Sequence, residues 1–251
     1  MGILFYEDRN GFSPGMLSGL QAWYDTSTSN SDGTPKYLTV TGGTSITQFL
    51  DRSGNGNDTA VQGTGTARPT WTAAQLNGLP LAVFDGGDYL AMPAALFSVA
   101  GGANTVFAVA KRDTESGVSA NIFLGANGTT AVHYMQFTST AGTCGFKNRN
   151  VAGGGVTNAG NTNTNYQILT GQRNGTTQSI TVNGGTASTN TNGVNGACLN
   201  MYMGGGDIGA GLSELLTGAI SEILIYNRAL TDAEIVQVNR YLSFKFAITI
   251  A

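Results

Sequence analysis

GAISEILIYNRALTDAEIVQVNRYLSFKF, residues 218–246, holds the clearest secondary-structure signals in the chain. Ala219–Tyr226 is a β-branched and aromatic run, which predicts a strand. Asn227 and Arg228 interrupt it. Thr231 with Glu234 three residues later is a capping-box pattern: the Thr hydroxyl accepts from the N3 amide, and the Glu carboxylate reaches back to the N-cap amide. Behind it Ile235, Val238 and Leu242, joined by Val236 and Tyr241, fall on one helical face. The stretch therefore predicts one sheet strand feeding one amphipathic helix, over Thr231 to Phe244. It is the one long helix legible in the chain.

Outward from this stretch, strand signals dominate. Leu20–Tyr24 is the first, and Trp23 within it reads as a core residue. Apolar runs follow at Thr105–Ala110, Ile122–Leu124 and Ala131–Phe137. The last has period two, with Val132, Tyr134 and Gln136 on one face and His133, Met135 and Phe137 on the other. His133, the single histidine, is thus expected to be a packed, neutral imidazole. Phe84–Tyr89 carries Asp-Gly between apolar runs, a hairpin signal. Tyr166–Gly171 and Gln178–Val182 predict another hairpin, turning at Asn174-Gly175. Its flanks are GGGVTNAGNTNTN at 153–165 and GGTASTNTNGVNGA at 184–197. The two flanks of an antiparallel hairpin lie at the same end. Thr157–Asn165 and Thr186–Asn195 are therefore expected side by side, as a neutral tip of amides and hydroxyls.

Gly218, the strand closing on IYNRAL (225–230), TDAEI (231–235) and YLSFK (241–245) together resemble the C-terminal end of concanavalin A-like (laminin-G-like) jelly-roll domains. LQAWYD (20–25) with DRSGNGND (51–58) resembles that domain's opening, and NGLPLAVFDGGDYL (77–90) its next signature. In this order the pieces span residues 15–246. The resemblance implies an all-β fold, an antiparallel jelly-roll β-sandwich with one C-terminal α-helix packed on its edge. Function is left open, since the family includes sugar-binding modules, adhesion domains and virion proteins.

A chain of 251 residues suits one β-sandwich domain. Burying roughly 70–75% of its unfolded surface, it needs no metal or disulfide to hold it, and Cys144 and Cys198 are expected as free, buried thiols. Charged residues make up 11%, where about 25% is usual, while Gly, Thr and Asn number 37, 32 and 22. With net charge −3 and no basic run, the electrostatic footprint of a nucleic-acid binder is missing. No apolar run approaches the roughly 18–20 residues of a membrane span. The opening MGILFYEDRNGF has a short apolar run with Glu7 and Asp8 just behind it, and lacks the basic n-region and longer apolar core of a signal peptide, so no signal peptide is expected. Residues 1–14 differ in composition and read as an N-terminal arm ahead of a sandwich over 15–251. Such an arm either lies over its own domain or docks on a neighbouring subunit.

Jelly-roll glycanases need two carboxylates about 5–9.5 Å apart across the scissile bond. An E-x-D-x-x-E strand that would supply them is absent, and Asp113 with Glu115, or Asp207 with Glu214, are the nearest acids. His133, Tyr134, Gln136 and Arg149 are the one set that resembles a lyase's base and neutraliser. No Ser-His-Asp order, P-loop or Cys/His cluster occurs. No catalytic residue is assigned. Planar amides suit sugar hydroxyls, which makes Asn161, Asn163, Asn165, Asn190, Asn192 and Asn195 the glycan-binding candidates. Asp51, Asn57 and Asp58 offer hard oxygens for calcium; the plainer reading is a self-bonded turn, and no other cofactor is expected. The function expected is that of a non-enzymatic virion-surface protein (capsid decoration, tail or fibre) with a lectin-like fold. It would assemble in the host cytoplasm with other virion proteins or sister subunits, as a homo-oligomer, and meet cell-surface glycan rather than nucleic acid or membrane. A free-standing carbohydrate-binding or adhesion module is the alternative, and a polysaccharide-cleaving enzyme the third reading.

Overall fold

The computed structural model describes residues 11–97, 102–115, 117–127, 130–148, 157–159, 162–191, 198–207 and 211–251. In chain order its strands are β1 (Leu20–Asp25), β2 (Leu38–Thr41), β3 (Ser45–Phe49), β4 (Thr70–Leu76), β5 (Leu79–Asp85) and β6 (Leu90–Ala91). Next come β7 (Asn104–Arg112), β8 (Ala120–Asn127), β9 (Thr130–Phe137), β10 (Cys144–Asn148), β11 (Thr157–Ala159) and β12 (Gln167–Asn174). The last are β13 (Thr177–Val182), β14 (Ser188–Thr191), β15 (Asn200–Met203), β16 (Gly206–Asp207), β17 (Leu212–Ser213) and β18 (Thr217–Tyr226), followed by α1 (Asp232–Phe246).

β18, formed by the run after Gly218, is the axis of the larger sheet. β7 pairs along one side of it; on the other side β5 takes its first half and β1 its second. The ten-stranded sheet continues as β14-β13-β12-β7-β18-β5-β4-β3-β2, and a six-stranded sheet runs β11-β10-β9-β8-β15-β6. Every pairing is antiparallel, so the architecture is the expected β-sandwich. Gly218 is required by the closeness of β7: a Cβ there would stand 2.2 Å from the Lys111 carbonyl oxygen. Gly171 plays the same part between the sheets, where a Cβ would meet the Phe146 ring at 2.4 Å.

β18 is buried on both faces, which is why its sequence shows no polar alternation. Ile220, Ile223 and Ile225 enter the core between the sheets, with Phe84, Val106, Ala108, Phe123, Met135 and Phe137 among its members. Leu224 and Tyr226 enter a second core, beneath α1, with Trp23, Phe107, Val109, Val238, Tyr241, Leu242 and Phe246. The helix therefore lies across the middle of the larger sheet's outer face, not on an edge as the resemblance suggested. It covers the doubly apolar centre, where burial of each large side chain contributes about 1.5–3 kcal/mol. Val236, expected inward, is 43% exposed. The capping box is present: Glu234 N donates to Thr231 Oγ1, and Thr231 N donates to the Glu234 carboxylate at 2.8 Å. Arg228 adds a fork of two bonds to Glu234, at 2.6 and 2.9 Å.

Two turns differ from expectation. Asn174 pairs with Thr177, so the hairpin turns on Gly175-Thr176, one residue later than predicted. Gly175, at φ 58°, fills the first central position that a type II′ turn reserves for glycine. Asp85-Gly86-Gly87-Asp88 is not a hairpin, because β5 and β6 belong to different sheets. The tight hairpin of this region is Asn77-Gly78, with φ 50° and 72°, joining β4 to β5. Residues 1–10 of the arm lie outside the described residues. Phe12 lies in the helix-side core, edge-on to Tyr241 at 6.5 Å, so this end of the predicted arm belongs to the fold. Cys144 and Cys198 are buried thiols outside any disulfide, as expected.

Candidate functional site

Four places in the fold hold the residues that chemistry singles out. The asparagine-rich segments come first. Asn161, Asn192 and Asn195 lie outside the described residues. β11 and β14 are edge strands of opposite sheets and lie against each other, so 157–159 and 188–191, the strand portions of the two segments among the described residues, are adjacent as expected, along one flank of the sandwich. β14 turns back along β13 with Asn190 opposite Gln178. That register puts Asn190 in a row with Gln178, Arg173 and Asn104 across four strands, on the same face as Ile180 and Val106 and hence between the sheets. Asn163 Oδ1 accepts from Asn165 N at 2.7 Å and is spent on its own turn.

The Asp51–Asp58 loop closes on itself. Asp51 Oδ1 accepts from the amides of Trp23 and Ser53, both at 2.9 Å. Its Oδ2 accepts from Ser53 Oγ at 2.7 Å and Asn57 N at 3.1 Å. Asp58 Oδ1 accepts from Asp51 N at 2.6 Å, and the Asn57 side-chain amide donates to the Gln21 carbonyl at 2.8 Å. The turn reading accounts for every one of these residues. Among the described residues no group of three or more His, Cys, Asp or Glu side chains is placed to hold a metal ion.

Beneath α1 lies a buried charge cluster that ties the recognised motifs together. Lys245 Nζ donates to Glu222 Oε2 at 2.7 Å and to Asp25 Oδ1 at 3.2 Å, all three side chains being 1% exposed or less. Arg52 Nη1 donates to Asp25 Oδ2 at 2.6 Å, and its guanidinium stacks 3.9 Å from the Trp23 ring. Trp23 Nε1 donates to Glu222 Oε1 at 2.6 Å. Two carboxylates and two cations balance. Burial alone would raise the Asp25 pKa, but Lys245, Arg52 and the hydroxyls of Ser27 and Thr28 outweigh it and hold the group below the usual carboxylate range. For Glu222 burial prevails, and its pKa is raised despite Lys245. Lys245 is held above the ordinary lysine value: burial opposes its charge, and Asp25 and Glu222 overcome that. These paired acids are sealed and salt-bridged, so they tie helix to sheet and are closed to substrate.

The fourth place is a cleft of about 540 Å³ at one mouth of the sandwich, lined by Gly86, Gly117, Val118, Ser119, Ser139, Glu214, Leu215 and Thr217. Strand ends meet here: β5 stops before Gly86, β8 starts after Ser119, β9 stops before Ser139, and β18 starts at Thr217. The exposed acid Glu214 has φ 52° and accepts from Asn121 Nδ2 at 3.1 Å through Oε2. Its charge, after burial, helps raise the pKa of the Tyr134 phenol. Of the lyase-like set, His133 faces inward and stacks on Phe97 at 5.2 Å, as expected of a packing residue. Tyr134 points to the opposite face with Leu124 and Ala126, and Arg149 lies outside the described residues. Nothing in the sequence spacing flagged the cleft. Its residues come from four separate segments.

A two-sheet antiparallel sandwich with a single C-terminal helix defines a lectin-like fold. The chain belongs to the concanavalin A-like lectin/glucanases superfamily, whose family profile matches residues 84–236. Among solved structures, Trypanosoma rangeli sialidase in complex with sialic acid is similar with a TM-score of 0.58 and 13% identity, over 91% of this chain and 33% of the sialidase. This chain thus spans about a third of that enzyme's length. Domain 4 of an extracellular GH43 arabinanase from Geobacillus stearothermophilus, in complex with arabinotriose, is similar with a TM-score of 0.53 and 16% identity, over 88% of this chain and 98% of that domain. At such identities the likeness is one of fold. No curated protein matches the sequence.

Proposed function

We propose that this domain is a non-catalytic glycan-binding module that works from a virion surface, in company with other virion proteins or sister subunits. The observation that carries the binding role is the cleft. Its 540 Å³ lies within the range of about 300–1,000 Å³ usual for small-molecule sites. Exposed hydroxyls of Ser139 and Thr217, the half-buried Ser119 and the carboxylate of Glu214 line it beside the apolar Val118, a mixture that suits the polar rim and apolar face of a sugar ring. Glu214 is the one carboxylate among the described lining residues, whereas glycoside hydrolysis needs two. The surroundings support the cleft over the asparagine-rich flank, because Asn163 is engaged in its own turn and Asn190 faces between the sheets. The virion setting is supported by composition alone, a weakly charged, hydroxyl-rich chain.

The test is a glycan array read with the wild-type domain and with Ser119→Ala/Ser139→Ala. The double variant should keep its melting temperature and lose about tenfold or more in affinity for any bound glycan, each hydroxyl having served a sugar group that is otherwise left unpaired. An array without a hit, or unchanged binding by the double variant, sinks the cleft assignment. Release of reducing ends from a bound polysaccharide would refute the non-catalytic part. For the virion setting, immunogold labelling of intact particles should decorate their surface.

A further inference from the structure

Arg112 ends β7 on the face that looks between the sheets, in line with Val106, Ala108 and Ala110. It is 1% exposed. Nη1 donates to the Thr138 carbonyl at 2.7 Å, and the guanidinium lies 5.5 Å from the centre of the Phe137 ring. Nε and Nη2, both buried, have no hydrogen-bond partner. Among the described residues it forms no ion pair; the charge of Glu115 favours its protonated form, though burial outweighs this and lowers its pKa. An unpaired buried cation is costly to keep, and this one has partners that adjoin the cleft's lining. The acceptor Thr138 precedes Ser139, the strand partner Gly218 follows Thr217, and Ala120, opposite Phe137, follows Ser119. Three of the cleft's polar residues are thus one step in sequence from the residues that surround Arg112.

We propose that the cleft takes a carboxylated sugar, with Arg112 as the group that receives the carboxylate. This rests on the reading of the cleft as the glycan site and narrows its ligand. A guanidinium with Nε and Nη2 both open offers two donors side by side, the geometry that matches the two oxygens of a carboxylate. Because Arg112 is 1% exposed, its carboxylate contact requires the cleft's lining to shift, and within that lining Val118 is already 73% exposed. Glu214 is the acid among the cleft's described lining residues, the charge of Glu115 acts on Arg112, and Asp113 is already paired to Lys111 at 2.9 Å. Glu214 is at the rim, so a ligand with one carboxylate enters acid end inward and leaves its neutral hydroxyls against Glu214.

The experiment measures wild-type binding to uronate- and nonulosonate-terminated oligosaccharides, each paired with its own methyl ester. The acid should bind at least about tenfold tighter than the ester, the scale of a hydrogen bond to a charged group. Arg112→Met should bring the two within about twofold while leaving affinity for the ester unchanged, and Arg112→Lys should retain part of the preference. Equal binding of acid and ester by the wild type overturns the inference and leaves the glycan site standing. Binding of neither, with neutral glycans equally inert, overturns both. Because the wild-type comparison decides by itself, a variant that fails to fold does not shelter the proposal.

Discussion

Replacing Lys245 with Met tests what holds the helix to the sheet. The ammonium lies 2.7 Å from Glu222 Oε2, 3.2 Å from Asp25 Oδ1 and 3.2 Å from the Tyr241 hydroxyl, in a site 1% exposed. Without it Asp25 keeps Arg52 at 2.6 Å. Glu222 loses its direct cation partner and retains only the Trp23 and Tyr241 donors. Removing one member of a buried pair costs about 3–5 kcal/mol, a large share of a domain stability of about 5–15 kcal/mol. Protonation is the escape for Glu222, whose pKa burial already raises and would raise further in the variant. A carboxylate with a raised folded pKa binds its proton more tightly in the native state. Stability of the variant should therefore fall as pH rises above the unfolded value of about 4.3, until the folded pKa is passed. Urea unfolding followed by tryptophan fluorescence should show a deficit larger at pH 8 than at pH 5. Lys245→Met/Glu222→Gln should regain most of the loss, since it removes the stranded charge. A single variant within about 1 kcal/mol of wild type at pH 8, or a double variant no more stable than the single, refutes the account.

Asp88 is the second pH-sensitive acid: burial, helped by the charge of Asp85, raises its pKa to about 6. Its ionisation should cost stability as pH climbs from about 4 past 6, so Asp88→Asn, whose amide oxygen can still accept from Asp85 N, should be on the order of 1–3 kcal/mol more stable at pH 7.5 and equal at pH 4 in urea titrations. A variant with the wild-type pH slope would count against this. Glu234 runs the other way, held down to about 2 by Arg228 and then by the Thr231 amide. Its contribution is present above the ordinary carboxylate value and is lost as pH falls through about 2; Glu234→Ala should cost about 1 kcal/mol near neutrality, with partial solvent exposure keeping it small, and thermal melts should show that gap closing in acid.

The parts of the fold legible in the sequence are those written in local chemistry. The capping box at Thr231 and Glu234 specifies a helix start from four residues, and period two at 131–137 places His133 inward without any tertiary knowledge. The errors share one cause, which is that partners far away in sequence choose among locally equal options. Asn174-Gly175 and Gly175-Thr176 are both good turns, and the pairing of Leu169 with Val182 settles which one forms. Asp85-Gly86 looks like a hairpin, but the strand after it pairs with β15 of the other sheet. The asparagine-rich segments have almost no apolar residues and read as loops. β13 nevertheless offers β14 a free edge to pair with, and backbone hydrogen bonds need no apolar side chains.

The residues most conspicuous in the sequence are also those least available for function. Trp23, Asp25, Arg52, Glu222 and Lys245 fall inside or beside the motifs by which the family resemblance is seen, and the fold gathers them into one sealed, charge-balanced cluster beneath the helix. Each depends on the others, since a change in one strands a buried charge. The cleft follows the opposite logic. Ser119, Ser139, Glu214 and Thr217 come from three separate segments and obey no common spacing, and of the four only Glu214 is described with a side-chain bond to a buried partner, Asn121. Arg112 is the exception, a buried cation at the end of an apolar strand whose open nitrogens have no structural partner to answer for them. A scaffold divided in this way keeps its fold while its rim varies, so sequence motifs here report the fold, and the ligand has to be read from the three-dimensional meeting of strand ends.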